Sequence, residues 1–502
     1  MSTAMSELRE RLGENADLGH AAGVLHWDQS TMMPPHGAAQ RAEALGTLSR
    51  IAHDHFIDAE TGRLLDAAEA QLGDAPADSD DVRLIWRTRL SWEKARRVPS
   101  ALEAEITRAS ALGYEAWVTA RKNDDFAAFV PYLRKNLDLK RKYVDCFDGY
   151  DVAYDVLLDD YDRGMKTAHV RALFDELKAE LVPLIAQLRD QEIDVSPLHV
   201  TYPVDGQRKL VREVVTRMGF DAEGWRLDDT VHPFEASFGS GDVRITTRYE
   251  KNYFPMALYG GMHECGHGLY EAGIAASLQR TPLSHGTSLT VHESQSRLWE
   301  NLVGRSRAFS GVLTPRVVEL SGGALDGLDA NTLFRAVNKV TPSLIRIESD
   351  EATYGLHIVL RFELEQELLD GTLDPNDLPE AWNAKMREYL AVEVPRNADG
   401  VLQDVHWSSG LIGYFSTYAL GNLVAGQLWE TVQRQLPDLD SQIASGDLAG
   451  LRSWLRENVH QHGAKFDTAT LLERVVGGPI AVAPFVRYLK AKLSDVYGVT
   501  LG

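Results

Sequence analysis

The sequence predicts a mainly α-helical protein, with one large helical domain over residues 1–502 and a small antiparallel β-sheet. Three observations support this prediction. Apolar residues recur at three- and four-residue spacing through most of the chain, which is typical of amphipathic helices. The spacing changes to partial alternation only between residues 219 and 253, which favours short strands there. No Pro/Ser/Gly-rich linker, low-complexity tract or internal repeat divides the chain.

The composition limits the possible partners. The apolar fraction of 44% is ample for a large core, and the net charge of −21 argues against nucleic acid and anionic membranes as partners. The sequence shows neither a signal peptide nor an apolar run long enough to span a bilayer. Its two cysteines, Cys146 and Cys265, fit a reducing compartment. We therefore expect a cytoplasmic protein that binds neither nucleic acid nor membrane.

Long helices are predicted through the first two hundred residues. Helical periodicity runs almost unbroken from residue 37 to residue 190. Ser100 after Pro99, and Asp124-Asp125 before Phe126, are typical of helix starts. The predicted helices are 40–55, 80–97, 100–122, 125–148 and 167–191.

Short strands are predicted next, at 225–227, 231–238 and 243–249. The last two are separated by Gly239-Ser240-Gly241-Asp242, which is typical of a hairpin connection. An edge strand of such a sheet can pair with an extended peptide.

The segment after the strands contains His263-Glu264-Cys265-Gly266-His267. Residues four apart lie on one face of a helix, so His263 and His267 can offer two imidazole nitrogens to one metal ion. Glu264 can reach the same pocket, where a carboxylate can take a proton from a water molecule on the metal. The alternative is a buried helix whose histidines only satisfy backbone carbonyls. Cys265 points away from both histidines, so we expect a small core residue there.

The third ligand determines the class of metal site. The metzincin pattern needs a glycine and a histidine where this chain has Tyr270 and Gly273, so that pattern is excluded. A gluzincin instead takes a glutamate from a following helix. Glu293 and Glu300 are seven residues apart and could share a face. Glu293 is the predicted ligand because it lies nearer the helix start among polar neighbours, and for Glu300 a solvated or salt-bridged surface acid is expected.

These motifs resemble the carboxypeptidase Taq family of metallocarboxypeptidases, and the resemblance covers almost the whole chain. It is carried by seven segments in the family's order: 25–29 (LHWDQ), 232–234 (HPF), 242–246 (DVRIT), 263–271 (HECGHGLYE), 292–296 (HESQS), 345–350 (IRIESD) and 400–407 (GVLQDVHW). The resemblance implies a small sheet beside a deep active-site cleft. Residues 1–200 would then wall the cleft, 219–305 would supply the sheet and both ligand helices, and 306–502 would form a C-terminal helical region. It also implies Zn²⁺ with latitude for Co²⁺, and a homodimer.

Two arginines are candidates for binding the free α-carboxylate of a peptide. A guanidinium binds a carboxylate through a paired fork of hydrogen bonds. Arg346, just before a predicted helix at 349–370, is the first candidate, and Arg244 in the third strand is the second. His232, at the start of the second strand, is a further candidate substrate contact. A solvent-facing salt bridge for either arginine, and a turn histidine at His232, are the alternatives.

The loop from residue 400 to 409 is rich in histidine and acid, which is typical of functional loops. Hydrolysis of a peptide needs a donor facing the carbonyl oxygen that becomes negative. His406 and Tyr414 are predicted to supply it. An apolar helix then runs to Leu428, and more helix is predicted over 441–497.

The predicted function is metal-assisted hydrolysis of the C-terminal peptide bond with broad specificity. His263, His267 and Glu293 would hold the metal, and Glu264 would act as general base. Spacing alone indicates a zinc hydrolase, and the restriction to the last bond rests on the resemblance. Two alternatives remain open: a gluzincin-type endopeptidase or oligopeptidase, and a catalytically inactive helical protein that binds peptides.

Overall fold

Helices form most of the protein, as predicted. The structure is a computed structural model that describes residues 3–502. Within those residues the α-helices in chain order are α1 (Ala4–Thr31), α2 (Ala38–Ile57), α3 (Ala59–Gln71), α4 (Asp80–Arg97), α5 (Ser100–Asn123), α6 (Phe126–Val144), α7 (Ala153–Tyr161), α8 (Thr167–Leu188), α9 (Val204–Met218), α10 (Phe254–Gly273), α11 (Leu289–Arg297), α12 (Arg307–Leu320), α13 (Ala330–Val337), α14 (Glu351–Asp370), α15 (Leu378–Leu390), α16 (Ser416–Gln435), α17 (Leu439–Ser445), α18 (Ala449–Asn458), α19 (Thr468–Val475) and α20 (Ala483–Tyr497).

Side-chain caps begin two of the predicted helices. Asp125 accepts a hydrogen bond from the Ala128 N–H at 3.1 Å and so caps α6. Asp350 accepts from the N–H groups of Ala352 and Thr353 at 2.9 and 3.1 Å and so caps α14. Each such cap stabilises its helix by about 1 kcal/mol, because it satisfies N–H groups that have no partner within the helix.

The sheet has three strands, β1 (Trp225–Asp229), β2 (Glu235–Ser237) and β3 (Val243–Thr247), in the order β1–β3–β2. β2 and β3 pair antiparallel, which confirms the predicted hairpin. β1 pairs parallel with β3, so the sheet is mixed and the prediction of an antiparallel sheet is wrong for this pair. The reason is that residues 230–242 carry the chain to the opposite edge before β3 returns through the centre in the direction of β1.

The helices and the sheet form two compact units, each assembled from separate stretches of the chain. The first unit takes in the chain up to Arg96, Asp194–Val337 and Leu428–Pro479. The second takes in Arg97–Ile193, Asn338–Gln427 and Ile480–Gly502. The sheet, α10 and α11 belong to the first unit, whereas α5 to α8 and α14 belong to the second.

Helix α10 lies in the core of the first unit. Its side chains Met262 and Cys265 are both 0% exposed, which confirms Cys265 as a core residue. A Cβ atom at Gly266 would lie 2.8 Å from the Cα of Ser296, so only glycine lets the backbone of α11 approach α10 this closely. This close approach places the residues of α11 beside those of α10.

Helix α14 has buried residues around its whole circumference, as expected of a helix in the interior of a unit. Tyr354, Ile358 and Phe362 are all buried there, and so is the charged residue Arg361. A guanidinium in this position needs a buried partner. Among residues 3–502, no helix is both long and apolar enough to cross a bilayer.

Candidate metal centre

Three donor atoms converge in the first unit. His263 and His267 extend from one face of α10, and Glu293 extends from α11. Glu293 Oε2 lies 3.7 Å from His263 Nε2 and 3.6 Å from His267 Nε2. In the part of the chain that the structure describes, this is the one group of His, Cys, Asp or Glu residues whose donor atoms all lie within 4.8 Å of one another. The three predicted ligands are therefore brought together.

The geometry of this group fits a small divalent cation. Tetrahedral coordination at about 2.0–2.1 Å separates neighbouring ligand atoms by about 3.3 Å. The two measured separations exceed this value by only a few tenths of an ångström. The three side chains are 18%, 16% and 7% exposed, in chain order, so the donors are largely withdrawn from solvent.

Glu300 holds the other side of the His263 ring. Its Oε2 lies 2.9 Å from His263 Nδ1, and its Oε1 accepts from Arg305 Nη2 at 3.0 Å. Burial raises the pKa of Glu300, but the bond to His263 and the charges of Arg297 and Arg305 outweigh it and hold the pKa well below its usual range. The expected salt bridges of Glu300 are present, but its side chain is only 13% exposed, so it is not a surface acid.

Glu264 is 7% exposed and lies among charged groups. Burial raises its pKa to about 7, against the lowering influence of His263 and with a further rise from Glu293. A carboxyl group with a pKa near neutrality can both accept and release a proton, which general base catalysis requires.

A further histidine, His292, holds the other side of His267. The two Nδ1 atoms are 2.5 Å apart, and His292 Nε2 lies 2.9 Å from Glu271 Oε1. Burial, together with the neighbouring histidines His292 and His263, lowers the pKa of His267 well below its usual value. His267 is therefore neutral, as a metal ligand must be. Both predicted ligand histidines have a partner at Nδ1, and both direct Nε2 towards Glu293.

The second unit contains a buried cluster of arginines. Arg346 donates from Nε and Nη2 to Asp404 Oδ1 at 3.0 and 2.9 Å, and Arg361 donates from Nε to Asp404 Oδ2 at 2.7 Å. Burial raises the pKa of Asp404, but the two arginines outweigh it and hold the pKa well below its usual range. Burial and Arg346 lower the pKa of Arg361 to about 10, against the effect of Asp404. Two buried guanidiniums share one carboxylate, so the three residues carry a net positive charge.

Gln403 fixes the backbone of Arg346. Its Oε1 accepts from the Arg346 N–H at 2.8 Å, and its Nε2 donates to Leu344 O at 2.9 Å. Arg346 Nη1 donates to Tyr354 Oη at 3.0 Å. These contacts join segments 345–350 and 400–407 within the second unit.

His406 and Tyr414 also lie in the second unit and pack together, with ring centroids 5.4 Å apart. His406 is 8% exposed, and its Nε2 lies 3.2 Å from Tyr418 Oη. Tyr414 is partly exposed and packs edge-on against Tyr161 at 5.1 Å. The structure therefore brings these two predicted residues into contact with each other.

Arg244 and His232 lie in the first unit. Arg244 donates to both carboxylate oxygens of Asp242 at 2.8 and 2.9 Å, and its guanidinium lies 4.5 Å from the Trp27 ring and 5.1 Å from the Phe238 ring. Its charge is thus balanced by one acid. His232 is exposed and lines a cavity of about 580 Å³ formed by α1 and the region of β2.

Sequence reasoning missed several residues of these clusters. No role was predicted for Glu271, His292, Arg361 or Asp404. His292 could have been found because it directly precedes Glu293, and Arg361 because it interrupts an apolar stretch of helix. Asp404 lies in the loop already marked as rich in histidine and acid, and Glu271 ends segment 263–271, but nothing in the sequence indicated the partner of either residue.

The fold and this site define a class, the metallopeptidases in which two histidines of one helix and a glutamate of a following helix surround a cation. A model of the carboxypeptidase Taq (M32) metallopeptidase family matches residues 7–493. The chain belongs to this family, and the resemblance noted in the sequence is confirmed.

Individual relatives agree with this assignment. The chain is 40% identical over 506 residues to thermostable carboxypeptidase 1 of Thermus thermophilus, with 99% of each chain covered. It is 33% identical over 497 residues to carboxypeptidase 1 of Bacillus subtilis, again with 99% of each chain covered. Among solved structures, it is similar to the M32 carboxypeptidase from Deinococcus radiodurans, with a TM-score of 0.96 and 39% identity over 99% of this chain and 100% of that one.

Proposed function

We propose that the protein is a zinc-dependent carboxypeptidase that removes the C-terminal residue of peptides with broad specificity. The observation that carries the proposal is the convergence of His263, His267 and Glu293 beside Glu264, in a chain of the carboxypeptidase Taq family. The similar proteins of Thermus thermophilus and Bacillus subtilis are both named carboxypeptidases. Family membership does not favour the gluzincin-type endopeptidase or oligopeptidase, nor the inactive peptide-binding protein.

His263 and His267 would hold the ion through Nε2, and Glu293 would hold it through Oε2. Arg297 supports this assignment, because its Nε donates to Glu293 Oε1 at 2.6 Å and leaves Oε2 directed at the histidines. Zn²⁺ is the proposed ion, and Co²⁺ can substitute because the same donors accept both. The bound cation would supply Lewis acidity to activate a water molecule and polarise the scissile carbonyl.

Glu264 is the proposed general base. It takes a proton from the attacking water and passes it to the nitrogen of the leaving amino acid. Its buried position next to His263 and its place in the ligand helix support both steps, because a carboxylate can accept a proton and its acid form can release the proton again.

His406 and Tyr414 are proposed to donate hydrogen bonds to the carbonyl oxygen that becomes negative. Their contact with each other supports a shared role. Arg346 is proposed to bind the α-carboxylate, which confines hydrolysis to the last bond. The net positive charge that Arg346 and Arg361 leave after pairing with Asp404 supports this order of candidates. Arg244 is the second candidate, because the carboxylate of Asp242 already balances its charge.

His232 is proposed as a further substrate contact, supported by its exposure on the wall of a cavity.

The substrates are peptides with a free C-terminus, and neither nucleic acid nor membrane is a partner. We also propose a single carboxypeptidase domain, a homodimer and a cytoplasmic location. The family match supports the single domain, because it runs through both units. Light scattering on a size-exclusion column tests the homodimer, and a single unfolding transition tests the single domain.

The direct test compares an unblocked peptide with its C-terminally amidated form in a mass-spectrometric time course. We expect stepwise loss of C-terminal residues from the free acid only. Chelator and Glu264→Gln should both abolish this loss. Glu213→Gln is the matched control, because the same chemical change on α9 removes an acid paired with Arg316 outside the site.

Two results would overturn the proposal. Cleavage of both peptides at internal bonds would indicate an endopeptidase. Binding of both peptides by the zinc-loaded protein without cleavage would indicate the inactive peptide-binding protein.

A further inference from the structure

The Nδ1 atoms of the two ligand histidines are held in different ways. His263 Nδ1 meets a carboxylate directly, that of Glu300 at 2.9 Å. His267 Nδ1 instead meets the Nδ1 of a second imidazole, His292, at 2.5 Å. The proposed catalytic steps do not use His292, although it is mostly buried and directly precedes Glu293. His292 therefore needs a physical account of its own.

The position of the protons in this pair follows from the contacts. Each neutral imidazole has one N–H donor and one bare nitrogen acceptor. If His267 presents a bare Nε2 to a cation, its Nδ1 carries the proton and donates to Nδ1 of His292. His292 then carries its proton on Nε2, from which it donates to Glu271 Oε1 at 2.9 Å. The reverse assignment would set a bare nitrogen of His292 against an ionised carboxylate.

The far end of this chain of hydrogen bonds is fixed. The Gly286 N–H donates to Glu271 Oε1 at 2.9 Å, so the carboxylate has a second donor. The ring of His292 is confined by packing as well, with the Tyr270 centroid at 5.2 Å. A Cβ atom at Gly286 would lie 2.7 Å from His292 Cδ2. His292 therefore has little room to rotate away from His267.

We propose that Glu271 and His292 form a hydrogen-bond relay that sets the tautomer and ring orientation of His267, so that Nε2 is the metal-binding atom. His292 is thus a positioning residue, one imidazole removed from the ion. The inference rests on the proposed function in that the three donors bind a cation. Outer partners of this kind contribute roughly 10- to 100-fold to metal affinity.

The test measures Zn²⁺ affinity of the full-length protein by competition with a chromophoric chelator at one neutral pH. His292→Leu removes both the acceptor and the donor but keeps an apolar side chain of comparable bulk. His292→Gln offers a carbonyl acceptor and an amide donor. We expect the leucine variant to bind Zn²⁺ roughly 10- to 100-fold more weakly, and the glutamine variant to recover part of the loss. The visible absorption of the Co²⁺-loaded leucine variant should also differ from that of the unmodified protein.

His460→Leu is the matched control. His460 is 1% exposed and packs against Tyr270, the ring that also confines His292, with their centroids 5.2 Å apart. It also bonds to Gln295 on α11 at 2.9 Å, but it contacts no proposed ligand. We expect this variant to keep its Zn²⁺ affinity. An equal loss in His460→Leu would show that packing alone is responsible and would overturn the relay.

Gly286→Ala probes the relay without removing any of its donors or acceptors. The added methyl group would lie 2.7 Å from His292 Cδ2 and 2.9 Å from Tyr270 Cε1, so the packed rings of His292 and Tyr270 must shift. We expect weaker Zn²⁺ binding with metal-free thermal unfolding close to normal. This variant also decides the matter if His292→Leu does not fold. Unchanged Zn²⁺ affinity in His292→Leu, or in Gly286→Ala if the former is unfolded, overturns the relay alone. Absence of Zn²⁺ binding by the unmodified protein overturns the proposed function itself.

Discussion

The two buried clusters of charged groups, one in each unit, have opposite imbalances of charge. The cluster in the first unit consists of the three donors and the charged groups that flank them, which are His263, Glu264, His267, Glu293, Arg297, Glu300 and Arg305. With neutral imidazoles and an ionised Glu264, three carboxylates there face two guanidiniums. The cluster in the second unit is the reverse, because Arg346 and Arg361 share Asp404.

This difference shows which kind of ligand each cluster lacks. A buried charge without a counter-charge is costly, so such clusters favour an occupant of opposite sign. The first cluster favours a cation, and the second favours an anion such as a carboxylate. A metallocarboxypeptidase needs both, and the proposed roles of Glu293 and Arg346 assign one to each cluster.

Removal of the cation from the first cluster should have the largest effect on activity and stability. Chelation should abolish peptidase activity and lower the unfolding temperature, because the excess acid of the first cluster then has no counter-charge. Zn²⁺ at about 1,000 times its dissociation constant should stabilise the protein by about 4 kcal/mol. Activity assays and calorimetry before and after Zn²⁺ is restored would measure both effects. Full activity in a chelated, metal-free sample would show that the first cluster does not need a cation.

Glu264→Gln should distinguish the catalytic role of Glu264 from any role in binding the cation of the first cluster. The amide cannot accept the proton, so we expect kcat to fall by about 10²- to 10⁴-fold while Zn²⁺ binding persists. Steady-state kinetics and chelator competition on the same preparation would distinguish the two. A variant that lost Zn²⁺ as well as activity would indicate that Glu264 acts as a ligand.

Two substitutions should break the second cluster to different extents. Asp404→Asn leaves two buried guanidiniums without their shared acid, so we expect a loss of stability of about 3–5 kcal/mol. Arg361→Met keeps one arginine paired with Asp404 and should cost less. Urea unfolding of both variants would measure the difference. Equal losses would mean that the net charge of the cluster does not govern its stability.

The dependence of stability on pH should report on Glu365, which lies one turn after Arg361 on α14. Burial raises its pKa to about 7, although the Trp407 Nε1–H and the Gly413 N–H both donate to it. Between about pH 4.5 and 7, Glu365 is therefore protonated in the folded state and ionised in the unfolded state. Its protonation stabilises the folded state fully below about pH 4.5. This stabilisation, about 3 kcal/mol in total, is lost as the pH rises through about 7.

Glu365→Gln should remove this component, since an amide resembles the protonated acid at every pH. The measurement is the unfolding free energy of both proteins at several pH values from 4.5 to 8. The difference between the two curves isolates Glu365 from other titrating groups. Parallel curves would show that the pKa of Glu365 is the same in the folded and unfolded states.

The sequence was sufficient for features that depend on local spacing. The four-residue interval between His263 and His267 determines their shared face, and Asp125 caps the helix that it precedes. The family motifs then indicated the class of enzyme. Long-range pairings were not predictable in this way: Arg361 and Asp404 are 43 residues apart, and nothing local marks them as partners. The parallel pairing of β1 with β3 was missed for the same reason.

The helical geometry directly after α11 restricts how many residues this segment of the chain can contain. Residues Leu298–Gly304 form a π-helix, in which hydrogen bonds connect residues five apart rather than four. Glu300 and Arg305 have this five-residue interval, and their contact at 3.0 Å helps to hold Glu300 against His263. Removing one residue before Glu300 would turn its side chain by about 100° in α-helical geometry. An insertion or deletion before Glu300 should therefore separate its carboxylate from His263, even if every side chain of the segment is kept.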